Sequence, residues 1–145
     1  MNRFPPLTRW VLWFALSSAI VVYLVVLKVS GSTPSPVESE EGGVPLAMIL
    51  TIAGFVLGVV SQGIKILANR VQTENGKPKV PFWIDQAFVI ALAMGEAPAI
   101  LGLVLAFQGA PAKEYLPLFG IAIVGMILLA PKFFYAVESR AESAD

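Results

Sequence analysis

The sequence FVIALAMGEAPAILGLVLAF, residues 88–107, is an apolar run long enough to cross a bilayer as a helix, and it carries one carboxylate, Glu96, near its middle. A charged side chain at the centre of a bilayer costs roughly 2.5 to 3.5 kcal/mol on insertion scales. Such residues are therefore retained where they face protein, pair with another group or handle an ion. We expect a membrane protein in which Glu96 is the main candidate functional residue.

The composition of the whole chain agrees with a membrane location. Of the 145 residues, 57% are hydrophobic and 14% are charged, whereas soluble domains are about half apolar and about a quarter charged. Basic and acidic residues balance, and the basic ones form no patch interleaved with aromatic residues, so we expect no nucleic-acid partner. Because the chain has no Cys and no His, we predict no cofactor, no metal site and no catalytic constellation of its own.

Four apolar runs separated by polar segments predict an all-α integral membrane protein with four transmembrane helices in a single domain. The spans are predicted at residues 10–29, 44–68, 83–107 and 116–137, with an acidic external loop at 30–43 and a turn-rich cytoplasmic loop at 69–82. Pro131 is expected to break the fourth span near its end. The basic residues before the first span, in the 69–82 loop and in the tail predict that both termini are cytoplasmic, in the plasma or inner membrane.

The first apolar run has two interpretations. Its length is closer to the ~20 residues of a transmembrane helix than to the apolar part of a signal peptide, which has about 7 to 15. The small residues at 30–32 resemble a signal-peptide cleavage region, but the length favours a retained helix. Its aromatic residues Trp10, Trp13 and Tyr23 are predicted to lie at the membrane interface or to face lipid.

Small residues recur at every fourth position of the second and third spans and therefore lie along one side of each helix. They are Gly54 and Gly58 on the second span, and Ala87, Ala91, Gly95 and Ala99 on the third. Because small side chains let membrane helices approach closely, we predict a tight central hairpin formed by helices 2 and 3.

Two polar features are expected beside Glu96. Pro98 removes the usual hydrogen bond to the carbonyl of Met94, so it predicts a kink that either offers Glu96 an acceptor or is simply tolerated. Gln62 has the same spacing as Glu96 from the loop between the helices, so the amide and the carboxyl are expected to meet at similar depth. A plain hydrogen bond between helices is the alternative role for Gln62.

Charge sets the expected protonation state of Glu96. No basic residue of the third span can pair with it, and burial without a counter-charge favours the protonated carboxyl. Two other charged residues receive simpler interpretations. Asp85, in the first turn of the third helix, is predicted to act as a helix cap with no chemical role. Lys65 is expected to extend its long side chain to the interface.

The two central spans are similar to a known family. GVVSQGIKILA at residues 58–68, followed by a basic loop and by AMGEAPAILGLVLAF at residues 93–107, resembles the helical hairpin of rotary ATP synthase subunit c, the ring-forming proteolipid. The resemblance implies that Glu96 is the ion-carrying carboxylate, that Gln62 is its hydrogen-bond partner, and that a ring of hairpins turns against a subunit offering an Arg. The sodium-binding members have Ser or Thr after the Glu, so Ala97 implies protons.

Three functions are therefore open. The preferred one is a small polytopic membrane protein that binds and releases protons at Glu96 as part of an ion-translocating complex. Its partners would be the lipid bilayer and other membrane subunits or copies of itself. The second is a non-catalytic structural or assembly subunit of a larger membrane complex, in which Glu96 makes a helix–helix contact. The third is a small four-helix exporter, a class in which the single membrane Glu is on the first helix.

Overall fold

The computed structural model describes residues 3–30, 46–70, 72–74, 77–136 and 138, which form five helices and one short hairpin. The helices are α1 (Pro6–Ser30), α2 (Leu46–Ala68), α3 (Ile84–Phe107), α4 (Ala112–Leu128) and the single turn α5 (Pro131–Phe134). Two antiparallel strands, β1 (Gln72–Glu74) and β2 (Lys77–Lys79), lie between α2 and α3. Apart from this hairpin, which the sequence analysis treated as loop, the described part is helical. The predicted external loop lies outside the described residues from position 31 onwards.

Three of these helices, α1, α2 and α3, are long and apolar enough to cross a membrane. They have 25, 23 and 24 residues and lie close to the predicted spans. The fourth helix is different, because α4 has 17 residues and ends at Leu128, followed by a break before Pro131. It also begins at Ala112, earlier in the chain than predicted. In contrast to α4, α3 continues through Pro98 as one helix.

The four long helices alternate in direction. Near one end of the bundle, Arg9 at the start of α1 lies 3.6 Å from Asp85 at the start of α3. At the same end, Asn69, just after α2, donates to the carbonyl of Phe134, which follows α4 and packs on Phe88 in the first turns of α3. This arrangement makes α3 the central helix, since it packs against α1, α2 and α4 and contains more buried residues than any of them.

Burial follows this arrangement. Half of the most apolar window of α3 is buried inside the chain, against 11% in α1 and in α2. The outer faces of α1 and α2 are apolar and exposed, as expected for helices that meet lipid. The Phe88 ring of α3 lies 5.0 Å from the ring of Phe134 and 5.2 Å from that of Tyr135, both T-shaped. The chain that follows the α4 break therefore docks on the first turns of α3.

The small residues allow close approach of three helices. A Cβ atom added to Gly54 would lie 2.5 Å from Cδ2 of Leu118, and one added to Gly58 would lie 2.9 Å from Cγ2 of Ile121, both on α4. On α3, a Cβ added to Gly95 would lie 2.9 Å from Cδ1 of Leu129. α2 and α3 pack against each other, as the sequence predicts, and α4 also fills much of the space beside these faces. The small α3 residues Ala91 and Ala99 are fully buried in this region.

Candidate functional site

Glu96 lies in the middle of the central helix. It is about 18 Å along α3 from Ile84 at a rise of 1.5 Å per residue, and it is 7% exposed. The hydroxyl of Tyr23, on α1, donates a hydrogen bond to Oε1 of Glu96 at 2.7 Å. Among the ion pairs of the described residues, none includes Glu96. The carboxyl is therefore held at depth by a hydroxyl from another helix.

The pairing of Glu96 with Tyr23 is compatible with both protonation states of the carboxyl. An ionised carboxylate accepts hydrogen bonds on both oxygens, and a protonated carboxyl donates with one oxygen while it still accepts with the other. The phenol can thus keep its hydrogen bond whether or not Glu96 carries a proton. The same contact therefore forms with a neutral and with an ionised Glu96.

Gln62 contacts a different group from the one expected. Its Nε2 donates to the carbonyl of Gly125 on α4 at 3.3 Å. The preceding residue, Ser61, is fully buried. Its Oγ would lie 3.9 Å from a Cβ atom added to Gly95, the residue that precedes Glu96 in α3. The predicted Gln62–Glu96 hydrogen bond is therefore replaced by a bond to α4. The reason is helical phase, since successive residues point about 100° apart and depth alone does not fix direction.

Tyr23 is the residue of this site that the sequence analysis misassigned. It was expected at the interface or facing lipid, but it is half-buried and faces α3. It lies three residues after Ile20 and four before Leu27, which are both buried, so it shares their side of α1. That spacing was a usable signal. Of the other two aromatic residues, Trp10 is 47% exposed as expected for a lipid-facing side chain.

The broken end of α4 is capped by side chains of other helices. The last four carbonyls of a helix lack partners within it, and in a membrane such groups need internal partners. Trp13 of α1 donates from Nε1 to the carbonyl of Met126 at 2.8 Å. Gln62 donates to Gly125, as described above, and Lys65 donates to Leu128. Trp13 and Lys65, both predicted to lie at the interface, thus also cap carbonyls of α4, and the Lys65 contact is exposed.

An ionic cluster lies at the end of the bundle that holds the start of α1. The guanidinium of Arg9 donates two hydrogen bonds to the carboxylate of Glu138, at 2.5 and 3.0 Å, and lies 3.6 Å from Oδ1 of Asp85. Its carbon Cζ sits 3.7 Å from the centre of the Tyr135 ring. The Arg9 side chain is 9% exposed. Its hydrogen bonds with Glu138 and its proximity to Asp85 offset the free-energy cost of removing its charge from water.

Asp85 has a larger role than the predicted cap. No side-chain cap bond is present at the start of α3, where Trp83 is the N-cap residue. Asp85 instead accepts hydrogen bonds from the backbone N–H of Phe4 at 2.9 Å and from the hydroxyl of Tyr135 at 2.8 Å. It therefore joins the N-terminal segment, α3 and the chain after α4, while its place in a first helical turn remains favourable for the helix dipole.

Within the described ranges, no three acidic side chains cluster in a way that could hold a metal ion. Comparisons of the chain with models of protein families, with curated proteins and with solved structures find no match. The functional conclusion consequently depends on the geometry of Glu96 and its surroundings.

Proposed function

We propose that the chain is a small four-span membrane protein that binds and releases a proton at Glu96 as part of an ion-translocating complex. The observation that carries this proposal is the position of Glu96: in the middle of the central helix, 7% exposed, and held by the hydroxyl of Tyr23 at 2.7 Å. A carboxyl kept at such depth is normally functional.

The proposed topology has both termini on the cytoplasmic side of the plasma or inner membrane. The alternating helix directions put the starts of α1 and α3, the end of α2 and the chain after α4 at one end of the bundle. The basic residues Arg3, Arg9, Arg70 and Lys132 occur in the sequence at or near this end, which the positive-inside rule assigns to the cytoplasm. We take α4 and α5 together as the fourth span, because the carbonyls at the break have side-chain partners.

The resemblance to the subunit c hairpin fits a proton-binding Glu96 better than it fits a ring. In a ring, the carboxylate must meet an Arg of a partner subunit. Here α1 covers Glu96 and Tyr23 takes the contact, so a partner could reach the carboxyl only after α1 moved. We therefore propose that Glu96 exchanges its proton with water and not through direct contact with a partner subunit, and that other membrane subunits or further copies bind elsewhere.

A second function is favoured by the same hydrogen bond. The Tyr23–Glu96 contact joins α1 to α3, and hydrogen bonds between membrane helices contribute about 0.6 kcal/mol on average. In a structural or assembly subunit, that contribution to helix packing would be the whole role of Glu96. The two functions differ in whether Glu96 changes its protonation state in the working range of pH.

The deciding experiment is an infrared titration of the purified full chain in lipid nanodiscs. A protonated carboxyl has a C=O stretching band that disappears on ionisation. We expect a protonated-carboxyl band that disappears as the pH is raised and that is lost in Glu96→Gln. Glu114→Gln, a matched change in the first turn of α4, should leave it in place. Tyr23→Phe should shift the pH at which the band disappears.

The structural function predicts a different set of results. Glu96→Gln would then leave assembly and proton movement unchanged in vesicles, because an amide also accepts a hydrogen bond from Tyr23. No infrared band that depends on Glu96 would then change with pH. This outcome would remove the proton-binding proposal and leave the helix–helix contact as the role of the site.

A further inference from the structure

The break in α4 lies within the length of the bundle. Leu129, the first residue after α4, packs with its Cδ1 against Gly95, next to Glu96. Gly95 is about 16 Å along α3 from Ile84. Helices interrupted at membrane depth recur in transporters, where the interruption lies beside the transported ion or substrate. The break and the candidate proton site are thus neighbours along α3.

Met126, in the last turn of α4, also lies close to Gly95 of α3. Its sulfur would lie 3.5 Å from a Cβ added to Gly95, and its carbonyl accepts the hydrogen bond from Trp13 of α1. The end of α4 therefore contacts both α1 and α3, one residue before Glu96 along α3. Any movement of this end changes how closely α3 is covered there.

The chain after the break, which we call the C-terminal segment (residues 131–136 and 138), is held by polar contacts and by the buried ring of Phe134, which packs on Phe88 of α3. Glu138 accepts two hydrogen bonds from Arg9 of α1, and Tyr135 donates to Asp85 of α3. Asn69, after α2, donates to the carbonyl of Phe134 at 2.7 Å. The Glu138 side chain is 20% exposed, so this contact lies where water can compete for it.

We propose that the C-terminal segment is a latch that controls access to Glu96. In the closed state seen here, the Arg9–Glu138 and Tyr135–Asp85 contacts hold the segment, and Leu129 and Met126 cover Gly95. When these contacts open, the segment pivots at the α4 break, the cover over Gly95 is withdrawn, and water reaches Glu96 from the Arg9 end. This regulation rests on the proton-binding function proposed above, and it adds the side from which the proton enters.

The test compares two exchange rates in the full chain in lipid nanodiscs. The first is backbone amide exchange, by mass spectrometry, in peptides covering residues 129–136 and 92–98. The second is deuteration of the Glu96 carboxyl after transfer to heavy water, followed by its infrared band. The variants are Glu138→Gln and Tyr135→Phe, and Glu114→Gln is the control at the other end of α4. Tyr135→Phe keeps the ring beneath Arg9 and removes only the bond to Asp85.

Both latch variants are expected to speed exchange in residues 129–136 by at least about tenfold, equivalent to ~1.4 kcal/mol of opening free energy. Deuteration of the Glu96 carboxyl should also be faster in these variants. The control, Glu114→Gln, should change neither rate. Faster exchange in residues 129–136 without faster deuteration of Glu96 would overturn the proposal. Unchanged exchange in both variants would overturn it too, because the cluster would not hold the segment.

The failure of the proton-binding function can be told apart from failure of the latch. If the unmodified chain shows no infrared band that depends on Glu96, the amides of residues 92–98 become the readout. Faster amide exchange in residues 92–98 of the two variants would support the latch, although Glu96 would then not be a proton-binding site. Unchanged amide exchange in residues 92–98 would contradict both the latch and the proton-binding function.

Discussion

Replacing Arg9 by Met is expected to lower the free energy of unfolding by about 3 kcal/mol. Met keeps a long, flexible side chain in the same space, so the substitution removes the charge with little loss of packing. The change is informative because the Arg9 side chain is 9% exposed and lies between two carboxylates. Unfolding is measured on the purified chain in mixed micelles, by titration with a denaturing detergent followed by circular dichroism.

The magnitude follows from what each carboxylate keeps after the substitution. Removing one partner of a buried ion pair costs about 3 to 5 kcal/mol, since the other charge is left uncompensated. Asp85 keeps its hydrogen bonds from Phe4 and Tyr135. Glu138 loses both guanidinium bonds and keeps a contact with Arg3 at 3.5 Å, while its 20% exposure lets water compensate in part. The loss therefore falls at the lower end of the range.

A double-mutant cycle tests the physical basis of this prediction. The coupling of Arg9→Met with Glu138→Gln should reach at least about 1 kcal/mol, as for residues in one ion-pair network. The coupling with Glu114→Gln, at the far end of α4, should be close to zero. The prediction is refuted if Arg9→Met changes the unfolding free energy by less than about 1 kcal/mol. Equal coupling to both glutamates would refute it as well.

Two further pairs of variants test helix packing and capping, with unfolding free energy as the measurement. Gly54→Ala should cost about 1 to 3 kcal/mol, because its Cβ would lie 2.5 Å from a buried leucine of α4. Gly63→Ala, where nothing lies within 4 Å, should stabilise by up to about 1 kcal/mol, and the reverse order would contradict the described packing. Trp13→Phe should cost about 1 kcal/mol through the lost bond to the Met126 carbonyl. The exposed Trp10→Phe should change little, and equal losses in both would argue against capping.

The helical class and the three long spans could be predicted from the sequence because they depend on local properties. Apolar length decides whether a segment can cross a membrane, and turn residues decide where it ends. The depth of Glu96 was predictable for the same reason, since a residue's position along a straight helix is proportional to its number. The break at Pro131 was also a local signal, because proline has no N–H to continue a helix.

The partners of the polar residues could not be predicted in the same way. A hydrogen bond between helices depends on rotation about each helix axis, on tilt and on which helices are neighbours. Gln62 illustrates rotation, since the adjacent Ser61 takes the place beside Gly95. Asp85 illustrates neighbourhood, because its contact with Tyr135 joins positions fifty residues apart in the chain. Neither relation leaves a periodic pattern in the sequence.

The distribution of polar contacts along α1 explains how this helix can respond to the state of Glu96. Between membrane helices there is little hydrophobic driving force, because lipid tails are as apolar as leucine, so packing and hydrogen bonds determine association. Only 11% of the most apolar window of α1 is buried, yet Arg9, Trp13 and Tyr23 each make a polar contact with a different part of the bundle. Two of these contacts are independent of Glu96. The third is not, because a hydrogen bond to an ionised carboxylate is stronger than one to a neutral carboxyl, so ionisation of Glu96 would strengthen the existing bond to α1 at mid-bundle.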